Sequence, residues 1–439
     1  MSLAGPRFHA AGRHRRAMRA NGAIAAAGQG VVTAIVTLAI GVLFMVSAML
    51  LFNFGINYEA AGGSLFEKVH PGSWLVFLAF ALSMFAGGEP ARHLDGIVAR
   101  QPGLSVFFVT WLVLLAQAVL VQKAPFTPLI DTFLMPMALL VLLRATGDAG
   151  KRRIAMLIHA FYAANALLGL YEFLSGYRLT PYVAGTLLVE ADWRSTAFFG
   201  HPLANAILTG SYVVAICAGG ARELPPVLRP AMVGLQMAAM IAFGGRSSLV
   251  TMLLFVAVAA AAQTTRFIGG ARLRLPAAAL VALALPLAIG ALALAFDSGF
   301  FDKLLLRFAD DNGSAKARLI MIHLFDVIPL PDLLLGPDQN WIGSLQRLEG
   351  IEYGLESFWL ATILTYGAIV AVIFFAGLFA FCRDLVAGSK SGSFQVLLFF
   401  FIVASTSVSL SAKTPVFGLI VAIMLVLLRP ACKAATTQG

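Results

Sequence analysis

The sequence predicts an all-α integral membrane protein with about twelve transmembrane helices. Three observations carry this. The 439-residue chain is 60% hydrophobic and only 12% charged, against the roughly 25% charged residues of an ordinary soluble domain. Its mean hydropathy is +0.88, and its apolar residues come in runs long enough to cross a bilayer. The basic residues behind the net charge of +10 fall in short clusters between those runs. The positive-inside rule produces that distribution; a nucleic-acid-binding protein would gather them into one patch, so a nucleic-acid partner is not expected.

The elements follow in order. Residues 1–30 form a basic N-terminus with Arg7, Arg13, Arg15, Arg16 and Arg19. No small-residue cleavage site follows, so the first apolar run is read as an uncleaved helix and not as a removable signal peptide. Residues 31–296 hold nine expected spans: Val31–Phe52, Ser73–Gly87, Leu104–Val121, Phe126–Leu143, Ile154–Leu174, Pro202–Gly219, Arg229–Phe243, Ser247–Ala262 and Leu275–Phe296. Residues 297–354 are a large polar loop. Residues 355–429 hold three more spans, Leu355–Phe381, Phe394–Ser411 and Thr414–Leu428, and residues 430–439 are a tail.

Orientation comes from the bias of Lys and Arg. With the N-terminal arginines inside, the inner loops hold Arg92 and Arg100, then Arg144 with Lys151, Arg152 and Arg153. Arg222 with Arg229, Arg266 with Arg272 and Arg274, and Arg383 with Lys390 follow, and Arg429 with Lys433 ends the chain. Both termini are therefore expected in the cytoplasm. Cys217, Cys382 and Cys432 make no Cys-x-x-Cys pair, so neither a disulfide framework nor a zinc site is supported.

Two outer segments are longer than a turn needs: Ser175–His201 and Asp297–Gly354. Long loops in compact proteins usually carry function or are disordered. The second has helical spacing of Leu319, Ile320, Ile322, Leu324 and Phe325, with Ser314 as N-cap, which predicts a helix on or near the outer membrane surface. Asp310–Gly313 lacks the full spacing of a calcium loop and reads as a turn.

Topology accounts for the inner arginines but not for Arg194, Arg246 and Arg318, which fall on three different outer segments. Arg246 stands in the very short turn Gly244–Gly245–Arg246–Ser247–Ser248. A charge near the membrane core is expensive and usually functional. The two glycines permit close backbone approach. Ser247 opens the next span, so a helix N-terminus beside an arginine favours an anion such as a phosphate. The competing reading is that these arginines snorkel to lipid headgroups. Glu356 opens the span after the large loop. There it is either an acid favoured by the helix dipole or a general base beside an anion site. Asp131 and Glu172 lie near outer helix ends, His159 lies one to two turns inside an inner end, and His201–Pro202 opens a span.

Taken together, four segments resemble the O-antigen ligase and polymerase superfamily of bacterial membrane glycosyltransferases, over about the C-terminal three-fifths of the chain. Arg194–Asn205 is similar to the family's Arg, Gly, Phe, His-Pro-Asn element, with Leu203 in place of an Asn. Gly244–Leu249 resembles its Ser-Arg turn, with Gly245 in place of the Ser. Asn312–Arg318 followed by Leu335–Gly336–Pro337 resembles its large-loop Ser, Arg, Gly element. Glu356–Leu360 with Tyr366–Gly367 resembles its His-Asn-x-x-Leu, Gly element, with Glu356 for the His and Ser357 for the Asn.

The resemblance implies a GT-C-like fold and transfer of a glycan from an undecaprenyl diphosphate carrier at the periplasmic face of the inner membrane, with neither metal nor other cofactor. It implies catalytic roles for Glu356, Arg246 and Arg318, and substrate binding by Arg194, His201, Ser247 and Ser357. Glu356 takes the acceptor proton while the arginines hold the diphosphate, with inversion at the anomeric carbon. The Glu-for-His difference favours an exopolysaccharide or capsule repeat-unit polymerase over a ligase to lipid A or protein. A chain-length regulator is the partner such a polymerase implies. The reading from another class is a transporter, which should show inverted repeats and charged or broken helices at the midplane. Neither is evident, and the unexplained charges lie on the outer face.

Overall fold

The computed structural model describes residues 28–59, 63–86, 90–184, 187–188, 192–270, 290, 293–309, 314–351, 356–407 and 410–430. The N-terminal arginines, most of the expected span Leu275–Phe296, the Asp310–Gly313 turn and the C-terminal tail lie outside the described residues. The chain is overwhelmingly helical. The first half comprises α1 (Gly28–Met45), α2 (Ala48–Asn53), α3 (Leu65–Lys68), α4 (Pro71–Ala86), α5 (Pro90–Arg100), α6 (Pro102–Val121), α7 (Thr127–Ala145) and α8 (Asp148–Ser175). After a two-residue antiparallel ladder, β1 (Val183–Ala184) with β2 (Leu187–Leu188), come α9 (Pro202–Gly220), α10 (Leu228–Phe243) and α11 (Arg246–Ile268). The large loop holds α12 (Asp302–Ala309), α13 (Ser314–Val327), α14 (Leu330–Leu335) and α15 (Gln339–Leu348). The chain closes with α16 (Phe358–Tyr366), α17 (Ala368–Ala387), α18 (Ser393–Ala404) and α19 (Val416–Leu427).

Among the described residues, seven helices are long and apolar enough to cross a membrane: α1, α6, α7, α8, α9, α11 and α17. The number is eight if α4 and α5, bent by 113° from one another, form one broken span. This is fewer than the expected twelve because α4, with 16 residues, and the apolar α10, α18 and α19 are shorter, and because most of Leu275–Phe296 lies outside the described residues. Two expected spans are also shortened by breaks. Val31–Phe52 breaks at Val46–Ser47, where Ser47 turns extended and its Oγ caps α2 by accepting from Leu50 N at 3.2 Å. Leu355–Phe381 breaks at Gly367, whose φ of 86° and ψ of 151° no helix can contain.

The core is α19, buried along its whole length, with α7 and α9 against it. Around it, α1, α6 and α11 turn Leu38, Val113, Leu254 and Val258 outward. An apolar rim around an apolar core is what lipid solvation requires. Burial alone does not hold such helices together, because lipid tails are as apolar as Leu; close packing through small residues does. Along α6 and α17 a Cβ on Gly103 would meet Ala380 O at 2.2 Å, and one on Gly377 would meet Thr110 Oγ1 at 1.9 Å.

Two of the basic residues expected on the inner side, Arg144 and Arg429, are tied into the bundle. Arg429 donates to Glu223 at 2.5 Å, and Glu223 lies 3.8 Å from His159. Arg144 donates to the carbonyl of Asp384, whose carboxylate caps α6 by accepting from Gly103 N at 2.7 Å and Leu104 N at 3.2 Å. The expected loop helix is α13. Its Met321, Leu324 and Ile328 pack with Ile342 and Ile351 against Ala361 and Leu364 of α16, while Leu319 and Ile322 stay exposed.

Gly103→Ala should lower the thermal midpoint in detergent, with an overpacking cost of about 1–3 kcal/mol because the opposing atom is backbone. Gly234→Ala, where a Cβ meets nothing within 4 Å, should leave it unchanged. Equal effects would refute this account of the α6–α17 seam.

Candidate functional site

The site is built from the end of α8. This helix stops at Ser175 with Gly176 in the left-handed region. One turn earlier, Glu172 is 2% exposed. Its carboxylate accepts three backbone N–H groups of the outer segment: Leu179 N, Thr196 N and Ala197 N, each at 2.9 Å. Two buried asparagines complete the clamp. Asn205 on α9 donates to Thr196 O at 2.6 Å and His201 O at 3.0 Å. Asn165 on α8 donates to Asn205 Oδ1 at 2.9 Å and accepts from Phe198 N at 3.1 Å. Ser195 N bonds Ala242 O at 3.0 Å and its hydroxyl bonds Gly169 O at 2.5 Å. The network holds Ala197 at φ 40°, a conformation that costs a non-glycine residue energy.

This clamp fixes Arg194, which is 7% exposed. Its guanidinium forks onto Asp192, with Nε 3.0 and 2.9 Å from the two oxygens and Nη2 2.5 Å from Oδ2. It also lies 5.3 Å from the centroid of the Tyr182 ring and donates to the Tyr182 hydroxyl at 3.3 Å. Burial alone would raise the Asp192 carboxyl; the Arg194 bonds and charge outweigh it and hold the carboxyl below its ordinary range. The aliphatic stem of Arg194 explains Gly244. That glycine ends α10 at φ 62°, and a Cβ there would stand 2.8 Å from Arg194 Cγ. A Cβ on Gly245 would stand 2.5 Å from Ala206 Cβ. The close approach predicted for the glycine pair is thus to Arg194 and to α9.

Arg246 opens α11 immediately after this pair, and Gly245 gives the helix no side-chain cap. Arg246 Nη1 donates to the carbonyl of Arg307 on α12 at 2.7 Å. Arg307 is the residue sequence reasoning missed. Burial, then the charges of Arg194 and Arg246 against that of Asp192, push its guanidinium down. Its Nε is buried and, among the described residues, has no hydrogen-bond partner. Three guanidiniums, Arg194, Arg246 and Arg307, thus gather with Asp192 at the mouth of α11. Arg307 carried the same signal as Arg246, a lone charge after Leu304–Leu305–Leu306. Sequence cannot tell which charge on a long loop folds inward.

His201 packs edge-to-face with Tyr182, ring centroids 5.4 Å apart. Its Nδ1 accepts from Leu203 N at 3.2 Å, capping α9. The neutral ring therefore carries its proton on Nε2. Burial, then the Arg194 charge, lower its pKa to about 4.

The remaining expected residues sit on other elements. Ser247 is the half-buried second residue of α11. Arg318 is on α13, its side chain outside the described residues. Glu356, half-buried, and Ser357, buried, lead into α16, which Phe358 packs on Phe133 and Trp359 anchors to Ser405 at 2.7 Å. The structure does join two glycine elements that are far apart in sequence. A Cβ on Gly367 would stand 2.5 Å from Gly336 N, and Gln117 binds Leu335 O at 2.7 Å. The large loop is thereby seated on α6 and α16. Among the described residues no three His, Cys, Asp or Glu side chains form a metal-binding group.

Comparison with protein-family models, with characterised proteins and with solved structures finds no match to this chain.

Glu172→Ala leaves three backbone N–H groups unpaired, at a cost on the order of 3 kcal/mol or more. The thermal midpoint should fall and proteolysis within residues 177–200 should accelerate; unchanged cleavage would refute the clamp. His201 gives a pH signature. Between its ordinary 6.5 and about 4, the unfolded chain binds a proton that the folded chain refuses. Stability should therefore fall as pH drops through that window. His201→Asn should flatten that part of the dependence of the thermal midpoint on pH, and an unaltered slope would count against a neutral His201.

Proposed function

We propose that this chain is a multi-pass glycosyltransferase of the O-antigen ligase and polymerase type, acting as a polysaccharide polymerase. In this reading twelve spans cross a bacterial inner membrane with both termini in the cytoplasm. The site faces the periplasm, where the chain transfers a glycan from undecaprenyl diphosphate to another lipid-linked repeat unit. The observation that carries the proposal is the convergence of Arg194, Arg246 and Arg307 at an uncapped helix N-terminus, with Arg307 Nε buried and unpartnered among the described residues. Clustered guanidiniums at a helix mouth suit a diphosphate. Support also comes from where the resembling motifs fall: Arg194, the Gly-Gly-Arg turn and the Gly336–Gly367 contact all serve to seat outer segments.

The chemistry is a single displacement. The acceptor hydroxyl oxygen forms a bond to the anomeric carbon, and the bond from that carbon to the carrier's phosphate oxygen breaks. The electron pair leaves on the diphosphate, whose growing charge the arginines stabilise. The hydroxyl proton passes to a carboxylate, for which Glu356 is the candidate, and the anomeric configuration inverts. Arg318 joins the donor site from α13, and Ser247 and Ser357 line it. A chain-length regulator would act on the product.

Binding of farnesyl diphosphate, as a soluble carrier mimic, to purified protein in nanodiscs should weaken about tenfold or more in Arg246→Ala and in Arg307→Ala, the usual loss for one charged hydrogen bond. Undiminished binding in both would sink the arginine site. Glu356→Gln should stop polymer growth in cells and leave single repeat units on the carrier. Normal polymer would exclude Glu356 as the base. Failure only to attach finished polymer would assign ligation instead.

A further inference from the structure

A second polar group stands beside His201. The break between α1 and α2, the Tyr58 segment, the start of α4 and the Lys413 segment before α19 enclose a cavity of about 190 Å³. Its walls include Ser47, Tyr58, His70, Phe199, His201 and Lys413. That is below the roughly 300 Å³ at which pockets for drug-sized ligands begin, so it holds one small group and not an oligosaccharide.

Most of its polar atoms are already committed. Asp131, at the start of α7, accepts from the Tyr58 hydroxyl at 2.7 Å and from His70 N at 3.2 and 3.1 Å. His70 accepts from Gly72 N at Nδ1 and gives its Nε2 proton to Val46 O at 2.7 Å. That bond directs Val46, and with it the end of α1, toward the cavity wall. Asp131 and His70 therefore build the wall and offer nothing further.

Two donors remain. Lys413 Nζ donates to Tyr58 O at 2.7 Å and lies 3.6 Å from the centroid of the Tyr58 ring. Among the described residues no carboxylate comes within ion-pair distance of it. An ammonium has three N–H donors, so two are left over. The other donor is the Nε2–H of His201, since its Nδ1 is occupied. Burial, and then the Lys68 charge, bring Lys413 down to about 8 against the pull of Asp131 and Glu59; the Glu59 carboxylate, exposed, is also in the cavity lining and outside ion-pair distance of the ammonium. A half-buried cation and an N–H on two residues that line one small cavity, beside an aromatic ring, suit an anionic group on a ring-sized ligand.

We propose that this cavity is a second anion subsite, taking the carboxylate- or phosphate-bearing sugar of a glycan, with Lys413 as counter-ion and His201 Nε2–H as hydrogen-bond donor. The word glycan rests on the glycosyltransferase reading; the anion site rests on the cavity alone. The subsite and the arginine cluster are neighbours through Tyr182, whose ring contacts both His201 and Arg194. The enzyme is then selective for charged repeat units.

The test uses the full-length protein in nanodiscs and four probes: a glucuronate-ended tetrasaccharide, its carboxyl-reduced form, inorganic phosphate and farnesyl diphosphate. The acidic tetrasaccharide should bind about tenfold or more tightly than the reduced one. Lys413→Gln should erase that difference and leave farnesyl diphosphate binding unchanged. If Lys413→Gln does not fold, Lys413→Arg should retain the preference, and the acidic-to-reduced ratio in the unaltered protein decides by itself. Equal binding of the two tetrasaccharides, or no binding of either, overturns the subsite. Phosphate binding with no preference between the sugars overturns its assignment to a glycan. Loss of farnesyl diphosphate binding alone would sink the donor site and leave this one standing.

Discussion

The end of the bundle that holds Arg194 depends on one buried carboxylate. Glu172 ends α8 and accepts three backbone N–H groups from a segment that has little regular structure of its own. A loop against a membrane bundle must satisfy its backbone internally or face water. Glu172, with Asn165 and Asn205, lets Leu179, Thr196, Ala197, Phe198 and His201 do the first. With that backbone fixed, Arg194 has a single place to go, and Gly244 must lack a side chain to let it pass. The site's stiffness thus comes from helix side chains reaching out, which is how a loop can carry a charged group in a reproducible position.

The helix breaks do similar work. α1 stops at Val46–Ser47, where a Cβ on Gly200 would meet Ser47 Oγ at 2.6 Å. The helix end and the loop touch there, and the cavity lies beneath them. The expected span over Leu355–Phe381 stops at Gly367, where the backbone of Gly336 presses on it. Each break exposes backbone groups that a continuous helix would pair within itself, and each is compensated by a contact from a distant segment. In a lipid-solvated protein such breaks persist only where protein or a polar cavity surrounds them. Both lie at the end of the bundle that carries Glu172, Arg194 and Arg246 or at the seat of the large loop.

The two ends of the bundle use charge differently. At one end Arg144, Glu223, Asp384 and Arg429 bind carbonyls, helix N-termini and each other. Their roles are capping and tethering. At the other, three guanidiniums gather with Asp192, and Lys413 lies over the Tyr58 ring in the field of Asp131 and Glu59. Buried charge is costly, and in the proposed function this is the end that takes the ligand.

Much of this was legible in the sequence because it depends on local periodicity. The apolar runs, the helix at Ser314, the Gly-Gly turn and the value of Arg246 and Arg194 all follow from residues within a few positions of one another. Sequence also showed that the glycines of that turn admit something close. It could not show that the something is Arg194, fifty residues earlier, because that contact exists only once Glu172 has folded the outer segment back. Arg307, Asp192 and Tyr182 escaped for the same reason. Lys413 looked like one more residue between spans. What the sequence alone determined is a lipid-solvated helical chain with unexplained outward charges. Which charges meet, which helices break, and which residues line the cavity beside Lys413 were decided by tertiary contacts between residues that hydropathy ranks but cannot pair.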